Sequence, residues 1–142
     1  MIDDNLKLTG ALSIAVNDTV VQEVTNIVVT AGKGYVASRL KESGRATEMG
    51  YMAIGTGTGT AAVANTTLGT ELDRNALTST TVSGVTVAYV GQWNAGDGTG
   101  AITEAGIFNA SSGGTMLARV KFDVINKGAN DSMTITWTIT VN

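Results

Sequence analysis

The acidic residue with the most unusual surroundings in this sequence is Glu104, which lies in an apolar, strand-like segment. A glycoside hydrolase needs two carboxyl groups about 5–10 Å apart, and Glu71 and Asp73 are the candidates for the second group. The alternative is a structural ion pair, in which Glu104 meets Arg119 or Arg74 and fixes a loop or the strand register. Because isolated carboxylates are the sole support for a hydrolase, we favour the ion pair.

Glycines alternate with threonines at residues 55–60, a pattern that resembles a phosphate-binding loop. A P-loop continues into Gly-Lys-Ser or Gly-Lys-Thr and opens a helix, and neither feature follows in this sequence. We therefore interpret residues 55–60 as a mobile glycine- and threonine-rich loop at the rim of a β-sandwich.

The turn at residues 94–100 holds Asp97 between two glycines, as a calcium-binding turn would. Calcium takes about six to eight oxygen ligands, so Asp131 or Glu104 would have to approach Asp97 in the fold. We favour a simple hairpin loop. Two further candidates, Trp93 and Trp137, are expected to anchor the core or the rim rather than to bind a ligand.

The sequence contains neither Cys nor His among its 142 residues. Without Cys it has no disulfides, thiol nucleophiles or thiolate metal ligands. Without His it lacks the commonest general base and the commonest metal ligand. We therefore expect a protein that is not an enzyme, with no catalytic residues, no cofactor and no bound metal.

The composition indicates one ordered domain over residues 1–142, since 43% of the residues are hydrophobic and 15% are charged. The net charge is −3 and the basic residues are scattered, so we expect no direct binding to nucleic acid. We expect no membrane association either, because no apolar run approaches the ~18 residues of a membrane span. The acidic start at residues 1–4 differs from a basic secretion signal and favours synthesis in a cytoplasm without processing.

Alternation of apolar and polar residues predicts a β-hairpin near the amino terminus. Residues 5–16 form its first strand, residues 17–19 supply the turn, and residues 20–30 form the returning strand. The same alternation is clearest at residues 132–141, where apolar side chains occupy one face and threonines occupy the other. We expect this threonine-rich face to be either solvated surface or a contact with a neighbouring subunit.

One short helix is predicted at residues 31–41, where Val36 and Leu40 lie four residues apart, and it should pack over a sheet edge or an open end of a sandwich. Residues 61–75 show no sustained period and are predicted to form an ordered loop. Further strands are predicted at residues 51–54, 77–82, 85–93, 102–108 and 116–124. Together these elements predict an all-β fold, an antiparallel β-sandwich or jelly roll of about seven or eight strands with one short helix.

Four short segments follow one another in a distinctive order along the chain. They are Met-Ala-Ile-Gly-Thr-Gly at 52–57, Leu-Gly-Thr-Glu-Leu-Asp-Arg at 68–74, Thr-Glu-Ala-Gly-Ile-Phe at 103–108 and Met-Leu-Ala-Arg at 116–119. With this order the chain resembles small structural proteins of tailed-phage virions and the amino-terminal domain of phage tail-collar fibre proteins. The similarity covers roughly the central half of the chain.

In size, class and composition the chain also resembles the cement (decoration) proteins of podophage-like capsids, which are jelly-roll or sandwich proteins on the outer shell. This resemblance implies a virion protein, made in the host cytoplasm, that bridges major capsid subunits by non-covalent contacts and forms a homo-oligomer on the particle. The alternative is a tail, collar, baseplate or fibre-attachment protein. The sequence has no repetitive shaft or receptor-binding tip after Val141, and we therefore favour the shell.

Overall fold

The computed structural model describes residues 6–142, which contain ten β-strands and one α-helix. In chain order these are β1 (Leu8–Val16), β2 (Thr19–Thr25), β3 (Ile27–Val28), α1 (Thr30–Arg39), β4 (Tyr51–Gly55), β5 (Glu71–Ala76), β6 (Ser79–Ser83), β7 (Thr86–Trp93), β8 (Gly100–Phe108), β9 (Met116–Lys127) and β10 (Met133–Val141). The predicted all-β class with one short helix is confirmed, although the strands number ten rather than seven or eight.

The strands form two five-stranded antiparallel sheets that face each other as a β-sandwich. Sheet A has the strand order β2-β1-β10-β7-β6, and sheet B has the order β3-β9-β8-β4-β5. The main hydrophobic core lies between the sheets and contains Met52, Ile107, Trp93 and Trp137. Both tryptophans are fully buried, so their predicted role as core anchors is confirmed.

Strand β10 shows the predicted alternation most fully. Met133, Ile135, Trp137 and Ile139 are buried in the core, and the threonines between them lie on the outside of sheet A. β10 occupies the middle of this sheet, between β1 and β7. Threonine is β-branched and suits the outward positions of a central strand, because its stiff side chain packs well on a pleated surface.

The predicted amino-terminal hairpin is present, and its turn consists of Asn17 and Asp18, which have φ angles of 50° and 65°. Its predicted start at Asn5 lies outside the described residues. The predicted second strand at residues 20–30 is wrong in its second half, because β2 ends at Thr25 and the chain crosses to sheet B as β3. The Ile-Val-Val run that follows is too apolar for an exposed edge and packs against β9 instead.

One strand, β5, lies where the sequence predicted only a loop. Residues 61–75 run as a loop as far as Thr70, and β5 then pairs with β4 at the edge of sheet B. The prediction fails because most side chains of β5 are polar and at least partly exposed, which removes the apolar alternation that marks a strand. A shift in register between β4 and β5 leaves Leu72 as an extra, bulged residue.

Helix α1 begins and ends slightly earlier than the predicted residues 31–41. Tyr35 and Val36 pack against the main core. The helix also shares an apolar groove of about 550 Å³ with Leu8 at the start of β1 and Val141 at the end of β10, so it lies at an open end of the sandwich. Within residues 6–142 no helix has the length and apolar character to cross a membrane.

Two glycines of α1 lead to opposite predictions for the same substitution. A Cβ atom on Gly32 would lie 2.0 Å from the Leu117 carbonyl oxygen on β9, whereas a Cβ atom on Gly34 would meet nothing within 4 Å. We expect Gly32→Ala to lower the free energy of unfolding by about 1–3 kcal/mol, because the helix must move away from β9. We expect Gly34→Ala to raise it by about 0.5–1 kcal/mol. Urea denaturation measures both, and equal effects would contradict this tight packing.

Candidate functional site

The described residues contain an extensive buried polar cluster around Glu104 on β8. The side chain of Glu104 is fully buried, yet it points away from the main core, because its neighbour Ala105 faces that core. One carboxylate oxygen accepts hydrogen bonds from the backbone N–H groups of Gly57 (2.7 Å) and Thr70 (2.8 Å). The other accepts one from the N–H of Gly69 (2.7 Å). Three backbone donors therefore converge on one carboxylate.

Arg119 on β9 is the ionic partner of this carboxylate. Its Nε and Nη2 atoms donate to one oxygen of Glu104 at 3.2 and 2.9 Å, and its side chain is 3% exposed. The remaining guanidinium donors reach the carbonyl oxygen of Gly59 (3.1 Å) and Oδ1 of Asn65 (2.8 Å). Of the two arginines that the sequence offered as partners, the structure pairs Arg119, and not Arg74, with Glu104.

The segment that supplies these donors and acceptors is residues 56–70, between β4 and β5, which we call the Glu104 loop. Its base is closed by a hydrogen bond from the N–H of Thr56 to the carbonyl oxygen of Thr70 (2.9 Å). Its middle is tied to the start of α1, because the N–H of Thr30 donates to the carbonyl oxygen of Val63 (2.8 Å). The mobile rim loop predicted at residues 55–60 is therefore wrong, because these residues are held by hydrogen bonds to Thr70, Glu104 and Arg119, whereas the ordered loop predicted from residue 61 onward is present as far as Thr70.

Glycine is required at two positions because the carboxylate comes so close to the backbone. A Cβ atom on Gly55 would lie 2.3 Å from the carbonyl oxygen of Thr70, and one on Gly57 would lie 2.3 Å from Oε2 of Glu104. The pattern that resembles a phosphate-binding loop does bind an anion, through the single backbone N–H of Gly57. The anion, however, is the protein's own carboxylate.

A second, smaller hydrophobic cluster lies next to Glu104 on the outer face of sheet B. It consists of Val29, Ala53, Leu68, Phe108 and Met116. A Cβ atom on Gly106 would lie 3.0 Å from side-chain atoms of both Leu68 and Phe108, so glycine lets the loop settle onto the sheet. As a result, the middle of sheet B is covered on both of its faces.

The electrostatics of Glu104 follow from these contacts. Burial acts to raise the pKa of its carboxyl group, but the hydrogen bonds from Thr70, Gly69, Arg119 and Gly57 outweigh burial and hold the pKa below its ordinary value. The group is therefore ionised at neutral pH, and both oxygens are engaged. A general acid or base must lie within hydrogen-bond reach of its substrate. The geometry of this buried carboxylate instead suits an anchor.

Arg74 on β5 organises a neighbouring turn. Its Nη2 atom lies 2.6 Å from Oε1 of Glu71, and its guanidinium carbon lies 3.8 Å from the centroid of the Phe108 ring. Its Nη1 atom donates to the carbonyl oxygens of Ala110 and Gly113, both at 2.9 Å. Glu71, one of the two residues that the hydrolase hypothesis offers as a partner for Glu104, is thus paired with a different arginine.

Neither Asp131 nor Glu104, the two carboxylates proposed as further calcium ligands, joins Asp97 in a calcium site. Asp97 lies in an exposed turn, and its N–H donates to the carbonyl oxygen of Asn94 (2.9 Å). The predicted hairpin loop is wrong, because this turn joins β7 of sheet A to β8 of sheet B. Asp131 accepts a hydrogen bond from Nδ2 of Asn17 (2.9 Å), and Glu104 is held within its own cluster. Across residues 6–142 there is no group of three or more Asp, Glu, His or Cys side chains that could hold a metal ion.

One buried charged residue, Lys127, was not predicted from the sequence. Strand β9 runs past its predicted end at Val124, and Lys127 is 1% exposed, with its amine donating to the carbonyl oxygen of Asn94 (3.0 Å). The lysine lies two residues after the buried Ile125, and both follow a shift in register with β8 that moves the buried positions of β9 from even-numbered to odd-numbered residues. A period of two continued from the start of the strand therefore gives no signal for a buried lysine.

Comparison of the chain with protein families, with curated proteins and with solved structures found no match. The segments at residues 52–57, 68–74, 103–108 and 116–119 do lie together in this fold. They contribute Gly57, Gly69, Glu104 and Arg119, respectively, to one hydrogen-bonded cluster. The four segments therefore form a single structural unit.

The fully buried Glu104–Arg119 pair and the partly exposed Glu71–Arg74 pair allow a comparison that tests the anchor. In Glu104→Gln, the amide NH₂ group would face N–H donors, and Arg119 would keep a buried charge without its partner. We expect this variant to lose about 3–5 kcal/mol of unfolding free energy. Glu71→Gln, in a pair whose glutamate is 37% exposed, should lose about 1 kcal/mol or less. Chemical denaturation compares the two, and similar losses would contradict the anchoring role.

The pH dependence of stability provides a separate test. Because the pKa of folded Glu104 lies below its ordinary value of 4.5, its stabilising contribution is present above pH 4.5 and is lost as the pH falls through the folded pKa. We expect the unfolding free energy of the native chain to decline below pH 4.5, and the decline to become shallower in Glu104→Gln. Asp131→Asn is the control, since Glu104 should still contribute to the decline of the unfolding free energy in this variant. An unchanged slope in Glu104→Gln would refute this assignment.

Proposed function

We propose that the chain is a phage capsid cement protein that binds the outer shell and bridges major capsid subunits by non-covalent contacts. The observation that carries the proposal is a difference between the two sheets. The Glu104 loop and its small cluster cover the outer face of sheet B, whereas no described element packs over the outer face of sheet A. Antiparallel sheets often leave one face to solvent, so the composition of that face decides its use.

The outer face of sheet A, which we call the threonine face, consists of small side chains with almost no charge. Three cross-strand rows form its centre: Thr25-Ala11-Thr138-Ala88-Thr81, Glu23-Ser13-Thr136-Val90-Ser79 and Thr9-Thr140-Thr86-Ser83. Glu23, on the edge strand β2, is the charged residue in these rows. Charged residues are depleted at the centres of protein interfaces, and this face shares that property, although its serines and alanines are not the residues that interfaces favour.

The threonine face is also grooved. Two shallow depressions of about 410 and 210 Å³ lie side by side on it, and both are lined by Ala11, Thr25 and Thr138. They follow β1, because Ala11 and Ser13 are shorter than the side chains beside them on β2 and β10. A ridge on a shell subunit would fit such a groove, which supports docking through shape rather than through charge.

The size of the threonine face suits a repeated contact. Five strands, spaced about 4.8 Å apart and about eight residues long, span roughly 600 Å². Contact with a shell subunit would then bury about 1,200 Å² in total, at the lower end of standard interfaces. A shell presents many equivalent positions, so the same modest contact is repeated over the whole particle.

A bridging protein needs a second contact surface, and the Glu104 loop provides one on the opposite side of the sandwich. Val63 on this loop is 54% exposed, while the backbone around it is tied to Glu104 and Arg119. A loop that is already held in one conformation loses little conformational entropy on binding. The buried anchor therefore prepares the loop for contact.

The order of the four phage-like segments favours a second candidate, a tail, collar, baseplate or fibre-attachment protein. In that case the threonine face and the Glu104 loop would contact tail proteins instead of the major capsid protein. Both candidates place the chain in the virion after synthesis in the host cytoplasm. Both describe a structural protein without enzymatic activity.

Electron cryomicroscopy of the phage that encodes the chain distinguishes these candidates. The cement proposal predicts density of the size of this sandwich on the outer shell, at the joints between major capsid subunits. Density confined to the tail would reject the cement role in favour of the second candidate. Absence of the protein from purified particles would reject both.

A groove-filling substitution tests the threonine face itself. Ala11→Trp fills the depression along β1 from an exposed position, and Ala101→Trp places the same side chain at an exposed position on sheet B. We expect Ala11→Trp to reduce binding to particles that lack the protein by about tenfold or more, since a loss of 1.4 kcal/mol has that effect. Ala101→Trp should bind as the native chain does. Co-sedimentation measures occupancy, and equal binding of the two variants would contradict docking through this face.

A further inference from the structure

Three of the four sheet edges formed by residues 6–142 carry features that block another strand. On sheet A, β2 is bulged at Val21, where its register with β1 shifts, and it carries Glu23. Bulges and charged side chains are the usual means by which sheets avoid pairing edge to edge. The β2 edge is therefore protected.

Both edges of sheet B are protected as well. Beyond the short strand β3, the amide of Gln22 donates to the carbonyl oxygen of Asp123 on β9 (2.7 Å) and accepts from its N–H (3.2 Å). That side chain takes the place of a neighbouring strand at this point. On the opposite edge, β5 is bulged at Leu72 and carries the charges of Asp73 and Arg74.

Strand β6, the remaining edge of sheet A, has none of these features. Its five residues, Ser79–Ser83, are all exposed, uncharged and free of proline. It pairs with β7 without a shift in register, so its outer edge is regular. Val82 and Val85 at its end are 70% and 62% exposed. A regular, uncharged edge of this kind is open to one more strand.

The sequence of β6, Ser-Thr-Thr-Val-Ser, indicates which strand it fits. Valine and threonine are both β-branched and similar in shape, so the strand has nearly the same outline in either direction. We propose that β6 pairs antiparallel with β6 of a second copy of this chain, about a twofold axis at Thr81. Ser79 then lies opposite the partner's Ser83, and Thr80 lies opposite the partner's Val82.

This pairing joins sheet A of two copies into one continuous antiparallel sheet and uses the same strand on both sides of the interface. The contacting edge is uncharged, so the net charge of −3 on each copy acts only at longer range, where salt screens it. A five-residue strand pair buries less than the ~1,200 Å² of a standard interface. The dimer is therefore weak and reversible, and it does not depend on the proposed binding to a shell.

Charge placed at the twofold axis tests the pairing. Thr81 is exposed and faces the partner's Thr81, so Thr81→Lys and Thr81→Glu each bring two like charges together. We expect the native chain to dimerise reversibly in sedimentation velocity at concentrations up to about 1 mM. Each variant alone should dimerise about fivefold more weakly or worse. An equimolar mixture of the two variants should recover the dimer, because opposite charges then meet.

Thr25→Lys is the matched control, since it adds the same charge to the exposed edge strand β2. It should leave the dimerisation constant unchanged, and circular dichroism should show that every variant is folded. A native chain that stays monomeric throughout the concentration range would overturn the proposal. So would equal disruption by Thr25→Lys and Thr81→Lys, or a mixture of Thr81 variants that does not recover the dimer.

Discussion

Moving a carboxylate out of water costs several kcal/mol unless protein donors replace the lost water. Glu104 meets this requirement with three backbone N–H groups from one loop and two guanidinium N–H groups from another strand. The carboxylate can therefore be buried only when β4, β8, β9 and the Glu104 loop are all in place. Burial of the Glu104 carboxylate therefore ties the Glu104 loop, a long connection that would otherwise be free to move, to the centre of sheet B.

The same anchor explains why the two sheets differ. By holding residues 56–70 against sheet B, it buries a second apolar cluster there, including Leu68 and Phe108. Sheet A has no corresponding loop, because its strands β1 and β2, and likewise β6 and β7, are joined by two-residue turns. Tight hairpins leave the outer face of a sheet bare, so the side chains of that face must themselves suit either water or a partner. The small, uncharged residues of this face suit water and a partner alike, and the proposed function assigns them to a partner.

The parts of the fold and of the Glu104 cluster that depend on side-chain patterns could be predicted from the sequence, whereas the parts that depend on backbone groups could not. The alternation in β10 was visible because Trp137 faces the core while the threonines on either side face outward. The partner of Glu104 was narrowed to two arginines, and Arg119 is one of them. The loop contacts were not predictable in the same way, because their donors are backbone N–H groups that every loop possesses. In the sequence these loop contacts were marked by Gly55 and Gly57, and the same two glycines also fitted the pattern of a phosphate-binding loop. Strand β5 was missed because an exposed edge needs no apolar alternation.

The free edge of β6 and the threonine face meet at Thr81, which lies at the end of one of the cross-strand rows. In the proposed dimer the rows continue from one copy into the other. Neighbouring strands rotate by about 20° relative to each other, and five such steps separate the β10 strands of the two copies, so the centres of the two threonine faces differ in direction by roughly 100°. A surface twisted to this degree cannot lie flat on one partner. In the proposed dimer each copy would instead contact a different partner, and the two partners would be inclined to each other.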